Sequence, residues 1–443
     1  MRVRSVAAVL TLFCAAATGA CAHAQDLMQV WRDALAHDPV YAAARSAYRA
    51  NTEKLPQARA GLLPLVSGET GGVYNEARST RGLAYDSSGG RGTWDLVLTQ
   101  PLFDWGRWQR FEQSKLVVAD AEVQLQQSLQ GLLLRVADAY FGILGAQDAL
   151  TATEAEKAAV SEQLAAAQRK FELGNATITD TYEAQARYDL ILAEELRLQN
   201  EVQTQRDILA KIIGQPPGAL AELPAGVALP MPQPARLTDW SDQAQGASLD
   251  VLRAQLQTRI AGRDIEIARS GHYPTLNLRA SSGSATDGAL KGTGPGRPIE
   301  NTVGVTLSIP LYAGGGISSQ VTEKVQLEQK ARQDYETAKR EALRGARQYF
   351  NGVVTGLARV RALEAGETSS RAAVQANQTG YELGVRINLD VLNAQQQLYA
   401  TQRDLARARY QTLLDGLRLK ATSGVLAETD LDAINRLLRL PPP

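Results

Sequence analysis

Two long stretches of the chain carry apolar residues at intervals of three and four positions. In the first stretch, about 107–173, this spacing runs through Leu125, Leu129 and Leu133, and no proline interrupts it. Such spacing places the apolar side chains on one face of an α-helix. At 1.5 Å per residue, a helix of this length is a rod of about 100 Å. The second stretch, about 317–383, predicts an equivalent rod.

Each predicted rod stops at a glycine and is followed by a second helical stretch. Gly174 and Gly384 stand where a left-handed residue commonly ends a helix. The chain then turns within a few residues and continues with helical spacing over about 178–213 and 389–422. Each half of the chain is therefore predicted to form a long helical hairpin.

A pair of strand signals precedes each rod. In the second half, Val303, Val305 and Leu307 alternate with small polar or glycine positions, which is the period-two pattern of a strand. This pattern is found in outer-membrane barrels, and it fits an amphipathic sheet over a soluble core equally well. The first half shows a weaker alternation. The polar, glycine-rich segments 79–91 and 285–300 are predicted to be exposed loops between the paired strands.

The two halves of the chain repeat each other. The phrase FELGNATITD returns about 210 residues later as YELGVRINLD, and ARAGLLP returns at the same offset as ARSGHYP. LTQPLFDWG and LSIPLYAGG follow almost the same offset. One nearly constant offset indicates a duplicated structural unit, with a period far too long for a solenoid of short repeats.

The pattern divides the chain into five segments. They are a signal peptide over 1–24, a first repeat over 25–213, a Pro-rich equatorial linker over 214–247, a second repeat over 248–423 and a C-terminal helix and tail over 424–443. Residues 214–240 hold six of the 17 prolines. Proline at this density excludes helix and regular sheet, so we expect an extended strap between the repeats.

The first 24 residues have the features of a secretory signal peptide. They combine a basic start, an apolar run and a small-residue cleavage site that ends at Ala24. Cleavage there would remove both cysteines, Cys14 and Cys21, and with them any disulfide or cysteine-based metal site. The alternative is that Cys21 becomes a lipidated N-terminus.

Composition and motifs argue against several functional classes. Basic and acidic residues number 47 each, so no basic excess suggests nucleic acid as a partner. After the signal segment, no run of 18 or more apolar residues predicts a transmembrane helix. The chain also lacks P-loop, G-x-S-x-G and H-E-x-x-H motifs, which predicts a protein that is not an enzyme and needs no cofactor or metal.

Four strand signals are too few for a membrane barrel of one chain. The smallest barrels have about eight strands, and an open edge in lipid leaves backbone groups without hydrogen bonds. Two long hairpins likewise cannot bury their apolar stripes alone. Both arguments predict a closed ring of subunits.

Residues 380–438, which begin GYELGVRINLD, resemble the C-terminal half of the TolC family of outer-membrane efflux and secretion channels. The strand-to-helix joints PLFDWG, at Pro101, and PLYAGGG, at Pro310, resemble that family too, and the likeness spans about 26–438. The resemblance implies a mainly α fold with a β-barrel part. In it, a homotrimer forms a 12-stranded outer-membrane β-barrel that continues as a 12-helix periplasmic α-barrel.

The resemblance also implies a function. The protein would be the exit duct of a tripartite efflux pump or type I secretion system, in the outer membrane of a Gram-negative bacterium with a long periplasmic extension. It would conduct drugs or proteins passively from an inner-membrane ABC, RND or MFS transporter, joined through a periplasmic adaptor (membrane fusion) protein. Its partners would be its own copies, these two proteins and outer-membrane lipid, but no nucleic acid. The alternative is a soluble periplasmic coiled-coil scaffold, which suits the long helices but not the strand pairs.

By resemblance, the repeated phrase forms the hairpin tips at the periplasmic mouth of the duct. Gly174 and Gly384 would be the turns that contact the adaptor. Asp390 would line the pore constriction together with Asn393. Some family members carry a second acidic residue at the position of Asn393, so this chain is expected to place less charge at the mouth.

The resemblance further implies a lock that keeps the mouth shut. Tyr381 and Arg386 would hold the inner hairpin to Thr179 and Asp180 of the outer hairpin. The residues alone leave a plainer alternative open, because acidic residues in the first turn of a helix commonly cap its free N–H groups. Asp180 and Asp390 both fit that role, and Arg386 in a turn fits a solvated charge.

Overall fold

The computed structural model describes residues 25–77, 87–174, 176–287 and 299–440. The predicted signal peptide, the fate of Cys21 and most of the two predicted loops between paired strands lie outside these residues. The limits of the five predicted segments stay predictions.

The first half of the chain begins with three helices. They are α1 (Leu27–His37), α2 (Pro39–Thr52) and α3 (Lys54–Ala60). The first break occurs because Asp38 accepts the backbone N–H of Tyr41 at 2.6 Å, while Pro39 takes the first helical position. Strands β1 (Leu65–Ala77) and β2 (Ser87–Phe103) follow, and then the hairpin of α4 (Trp105–Glu172) and α5 (Ile178–Ile213).

The second half repeats this order of elements. Helix α6 (Leu237–Ala247) precedes α7 (Leu249–Arg269), which leads through a short 3₁₀ turn into strands β3 (Thr275–Asp287) and β4 (Ile299–Ser308). The second hairpin consists of α8 (Gly316–Glu382) and α9 (Asn388–Thr422), and α10 (Glu428–Asn435) ends the described chain.

The Pro-rich strap is shorter than predicted. The expectation of extended chain through residue 240 is wrong for its last four residues, because α6 begins at Leu237. The last proline of the strap is Pro234, so nothing after it prevents a helix. Trp240 then packs into a buried cluster with Ala244 and Leu419, and its indole N–H donates to the Pro234 carbonyl at 2.7 Å.

The four described strands form one antiparallel sheet in the order β1-β2-β3-β4. The central pair, β2 with β3, joins the two repeats, for example through Leu98 opposite Ala280. Among the described residues, β1 and β4 each pair along one side only. On β4 the apolar side chains of Val303, Val305 and Leu307 are exposed.

The hairpins run side by side away from the sheet. Helices α4 and α8 contain 68 and 67 residues, so each is about 100 Å long. Helix α9 packs along both α8 and α4 and so connects the two hairpins. Within the described residues, α4 alone has an 18-residue window apolar enough to cross a membrane, and more than half of that window is buried against the rest of the chain.

The largest buried cluster, here called the equatorial core, lies where α1, α10 and the strap pack against α4, α5 and α9. Phe141 stacks on Tyr410 at a ring separation of 5.6 Å. The Tyr140 hydroxyl donates to the strap carbonyl of Ala221 at 2.8 Å, and the Tyr410 hydroxyl donates to Asp148 Oδ2 at 2.7 Å. These contacts fix the strap and the hairpins to each other.

Asp148 should make the stability of this core depend on pH. Burial raises the pKa of the Asp148 carboxyl above its ordinary value of 3.8, although the Tyr410 hydrogen bond opposes this shift. A raised folded-state pKa means that the stabilising contribution is complete below the unfolded pKa and is lost as pH rises through the folded pKa. We therefore expect Asp148→Asn to unfold at a higher denaturant concentration than the parent at neutral pH, with the gap closing as pH falls towards 3.8.

The exposed Asp242 of α6 provides the control, because Asp242→Asn should leave the unfolding midpoint unchanged at both pH values. If the difference in unfolding midpoint between Asp148→Asn and the parent is the same at neutral and acidic pH, burial does not raise the pKa of the Asp148 carboxyl.

Candidate pore mouth at the hairpin tips

Both hairpin tips turn at a glycine with a left-handed backbone. Gly174 has φ of 73° and Gly384 has φ of 77°. Other residue types lose about 1–2 kcal/mol in this conformation, because their Cβ approaches the following carbonyl oxygen. The structure thus places both predicted glycines at the tips, and their contact with an adaptor stays a prediction.

The second tip also depends on Gly380, which the sequence analysis did not single out. The Gly380 carbonyl accepts the backbone N–H groups of Val385 and Arg386 at 2.9 and 3.1 Å. A Cβ atom at Gly380 would lie 2.6 Å from Arg386 Cγ, so a larger residue there would displace the Arg386 side chain. The sequence contained a signal for this role, because glycine lowers the stability of a helix and is rarely placed in its last turn without a structural reason.

Asp180 and Thr179 make local contacts at the start of α5. Asp180 Oδ2 accepts the Thr177 backbone N–H at 3.2 Å and the Thr177 hydroxyl at 3.0 Å. The Thr179 hydroxyl lies 2.5 Å from that of Thr177. Within one chain, these side chains therefore serve the helix start, as the capping alternative expects.

Arg386 and Asp390 contact each other at the start of α9. Arg386 Nη1 lies 3.6 Å from Asp390 Oδ2, and the two side chains are 59% and 36% exposed. An exposed pair of this kind contributes about 1 kcal/mol at most. Among the described hydrogen bonds and ion pairs of one chain, Arg386 has none with Thr179 or Asp180, and the lock stays a prediction.

Tyr381 lies at the seam between the two hairpins. Lys170 Nζ, from the last turn of α4, lies 3.7 Å from the centre of the Tyr381 ring, which is a cation–π contact. Burial raises the pKa of Tyr381, and the nearby charge of Asp180 raises it further. The Tyr381 hydroxyl is buried and has no hydrogen-bond partner among the described residues. The contact of Lys170 was not predicted from the sequence. The available signal was the difference between the repeats, because the second repeat has Gly380 at the equivalent position.

A buried amide cluster connects three helices beside Tyr381. Gln163 Nε2 of α4 donates to Asn388 Oδ1 at 2.5 Å, and Asn388 Nδ2 donates to the Asp180 carbonyl of α5 at 3.1 Å. Asn388 is fully buried. Neither amide was predicted from the sequence. Asn388 starts an apolar stripe that continues with Val391 and Leu392, and a polar residue in that stripe was the available signal.

Asn393 contributes another contact between the hairpins. Its Oδ1 accepts from Arg187 Nη2 of α5 at 3.4 Å. Asp390 and Asn393 are three positions apart on α9 and therefore share one side of that helix. Which side chains line a pore is a property of the assembled copies.

The two strand-to-helix joints have different local structures. Pro101 lies in β2 where the register with β3 shifts, and Asp104 then caps α4 by accepting the Arg107 N–H at 2.9 Å. Pro310 follows β4, and α8 begins after Gly315, whose φ is 79°. The described residues contain no cluster of His, Cys, Asp and Glu that could hold a metal ion.

The family model described as "Outer membrane efflux protein" matches residues 30–215 and 240–425. The chain belongs to this family. Outer membrane protein TolC of Vibrio cholerae is 31% identical over 98% of this chain and 99% of its own length. The alkaline protease secretion protein AprF of Pseudomonas aeruginosa is 31% identical over 93% of this chain and 87% of its own length. The crystal structure of VceC from Vibrio cholerae has the same fold, with a TM-score of 0.77 at 20% identity, covering 90% of this chain and 96% of VceC.

Family membership establishes the general function. This member of the outer membrane efflux protein family is a channel protein of the Gram-negative outer membrane with a periplasmic extension, and it is not an enzyme. The two matched segments correspond to the two repeats. The findings support the channel and give no support to the alternative of a soluble scaffold.

Proposed function

We propose that three copies of the chain form one continuous duct from the periplasm to the exterior, the exit channel of a tripartite efflux pump or type I secretion system. The four-stranded sheet carries this proposal. Within the described residues its edge strands, β1 and β4, each have one unpaired side, and the apolar residues of β4 are exposed. Strand edges must be paired in lipid, so four strands from each of three copies would close a 12-stranded barrel.

The helices support the same assembly. Each chain supplies four long helices, α4, α5, α8 and α9, which gives 12 in a trimer. On α5, Tyr182, Leu190 and Leu196 are exposed in the single chain. Neighbouring copies would cover these side chains and close the helices into a hollow cylinder.

The hairpin tips are suited to binding a periplasmic adaptor. Beside Gly174 and Gly384, the side chains of Leu173, Leu383 and Val385 are 75%, 74% and 76% exposed. Exposed apolar groups clustered at one end of a protein mark a contact surface. Two tips in each of three copies would offer the adaptor six such turns.

Cargo would be supplied by an inner-membrane transporter of the ABC, RND or MFS class. The chain is equally similar to TolC and to AprF, which is named for secretion of an alkaline protease. The proposal therefore covers both efflux of small molecules and secretion of proteins.

The mouth of the duct would be closed at the tips. Three copies of Asp390 would form an acidic ring at the constriction, with the neutral Asn393 beside it. A lock of Tyr381 and Arg386 against Thr179 and Asp180 would join unlike hairpins, and the exposure of the Arg386 side chain leaves it accessible to a neighbouring copy.

The acidic ring can be tested through cation block of single channels in planar bilayers. Three carboxylates around one axis attract multivalent cations strongly. We expect Asp390→Ala to raise the blocking concentration of a trivalent cation by about tenfold or more. Asp189→Ala, which removes a carboxylate bonded to Gln185 on α5, should leave the block unchanged. If the trivalent cation blocks the parent and Asp390→Ala at the same concentration, Asp390 does not line the constriction and acts only at the start of α9.

The lock can be tested through the size of the single-channel conductance. A charge-assisted hydrogen bond contributes about 1.5–3 kcal/mol, so three copies would hold the mouth closed yet remain reversible. We expect Tyr381→Phe combined with Arg386→Ser to raise the conductance several-fold without loss of the trimer. Arg344→Ser, which removes an exposed pair with Glu341 on α8, is the control. A double variant that inserts and conducts like the parent would exclude the lock.

A further inference from the structure

The seam between the first hairpin and α9 changes character along its length. In the equatorial core it is apolar and aromatic, with Leu133, Phe141 and Leu413 buried together. Closer to the tip, Arg403 Nη1 of α9 pairs with the buried Glu156 of α4 at 2.8 Å. Still closer to the tip, Leu392 of α9 packs in a small buried apolar cluster with Val160 of α4 and Ile191 of α5, and the amide cluster of Asn388 follows. Water can replace polar contacts when a seam opens, whereas an exposed apolar seam has no such compensation.

Asn388 uses both ends of its amide to hold the two hairpins together. Its oxygen accepts from the Gln163 side chain of α4, and its nitrogen donates to the Asp180 backbone of α5. Asn388 is 0% exposed and Gln163 is 8% exposed. Separating the hairpins would leave these groups without partners until water reached them, so the contact is either fully made or fully hydrated.

The position of Asn388 links this contact to the mouth. Asn388 is the first residue of α9, and Arg386 and Asp390 are each two residues away. Holding Asn388 against α4 and α5 therefore fixes where these two charged side chains lie. We propose that Asn388 and Gln163 form an amide clasp, a second closing element of the mouth that positions the charged residues of α9. This inference rests on the proposed duct and goes beyond the lock of Tyr381 and Arg386.

The amide clasp differs from the charged lock in its response to solution conditions. Its groups carry no net charge and do not titrate, so salt should affect it little. Screening by salt weakens contacts between exposed charges such as Arg386 and Asp390. The two elements can thus be separated by salt as well as by substitution.

The first experiment removes the amide clasp and records channel opening in planar bilayers. We expect Asn388→Leu and Gln163→Leu each to raise the ratio of open to closed time roughly fivefold or more, equally at low and high salt. The double variant should add little to either single change, because both remove the same contact. Two variants from opposite sides of the contact guard against one that fails to assemble.

Gln395 offers a matched control on the same helix. It is buried like Asn388 and lies seven positions further along α9, but its Oε1 has no hydrogen-bond partner among the described residues. Gln395→Leu should therefore leave channel opening unchanged. An equal effect of Gln395→Leu and Asn388→Leu would reduce Asn388 to a general packing residue and overturn the proposal.

The second experiment makes the amide clasp sensitive to pH. In Asn388→Asp, a protonated carboxyl can still accept from Gln163 and donate to the Asp180 carbonyl, whereas an ionised carboxyl has no donor. We expect this variant to stay closed at acidic pH and to open as pH rises through the new carboxyl's pKa. Titratable and charged groups also surround this point in the parent. They are Lys170 on α4, Asp180 on α5, Tyr381 on α8, Asp390 on α9 and Arg386 just before α9. The parent and Gln395→Glu are therefore the references. A pH response no different from theirs would contradict the amide clasp.

A third readout separates failure of the amide clasp from failure of the duct. Hydrogen exchange of the backbone amides in the first turn of α9 does not require ion conduction. Asn388→Leu should accelerate this exchange at least about fivefold relative to Gln395→Leu. A parent that conducts no ions would refute the duct, and equal exchange in the two variants would refute the amide clasp.

Discussion

The two outer edges of the four-stranded sheet are the constraint on which the rest of the structure depends. Backbone groups without partners cost several kcal/mol each in hydrocarbon, so in the proposed barrel the sides of β1 and β4 that are unpaired among the described residues would pair with strands from other copies. Closing the sheet into a barrel would also set the directions of the long helices. Helix α4 begins at Trp105, directly after β2, and α8 begins at Gly316, a short segment after β4, so the strands constrain the directions in which both helices start. In the proposed assembly, closure of the barrel would thus determine how the tips meet about 100 Å away.

The contacts along the hairpins differ between the equatorial core and the tips. In the equatorial core, apolar and aromatic side chains and the strap contact of Tyr140 join all the long helices except α8. Towards the tips, a small apolar cluster of Leu392 with Val160 and Ile191 remains, and polar contacts such as Arg403 with Glu156 and Asn388 with Gln163 join the hairpins beside it. In the proposed gating, the tips would separate while the equatorial core stays packed.

Much of the fold could be predicted from periodicity, because long regular helices display their buried face in every turn. The rods, the glycine turns and the second-half strands follow from such patterns. The break at Asp38 and the early end of the strap depended on a local cap and on the burial of Trp240, which periodicity does not report. The partners of the tip residues depended on the alignment of the two hairpins, which places Lys170 on Tyr381 and Gln163 on Asn388. That alignment is a tertiary property, although the polar Asn388 in an apolar stripe was visible in advance.

In the proposed duct three chains share one barrel, and the mass of the detergent-solubilised protein is a direct test of this assembly. Native mass spectrometry with the detergent removed in the gas phase should give three copies of the chain and no stable smaller species, because one or two copies leave strand edges unpaired. A folded monomer that inserts into bilayers and conducts ions on its own would contradict the account.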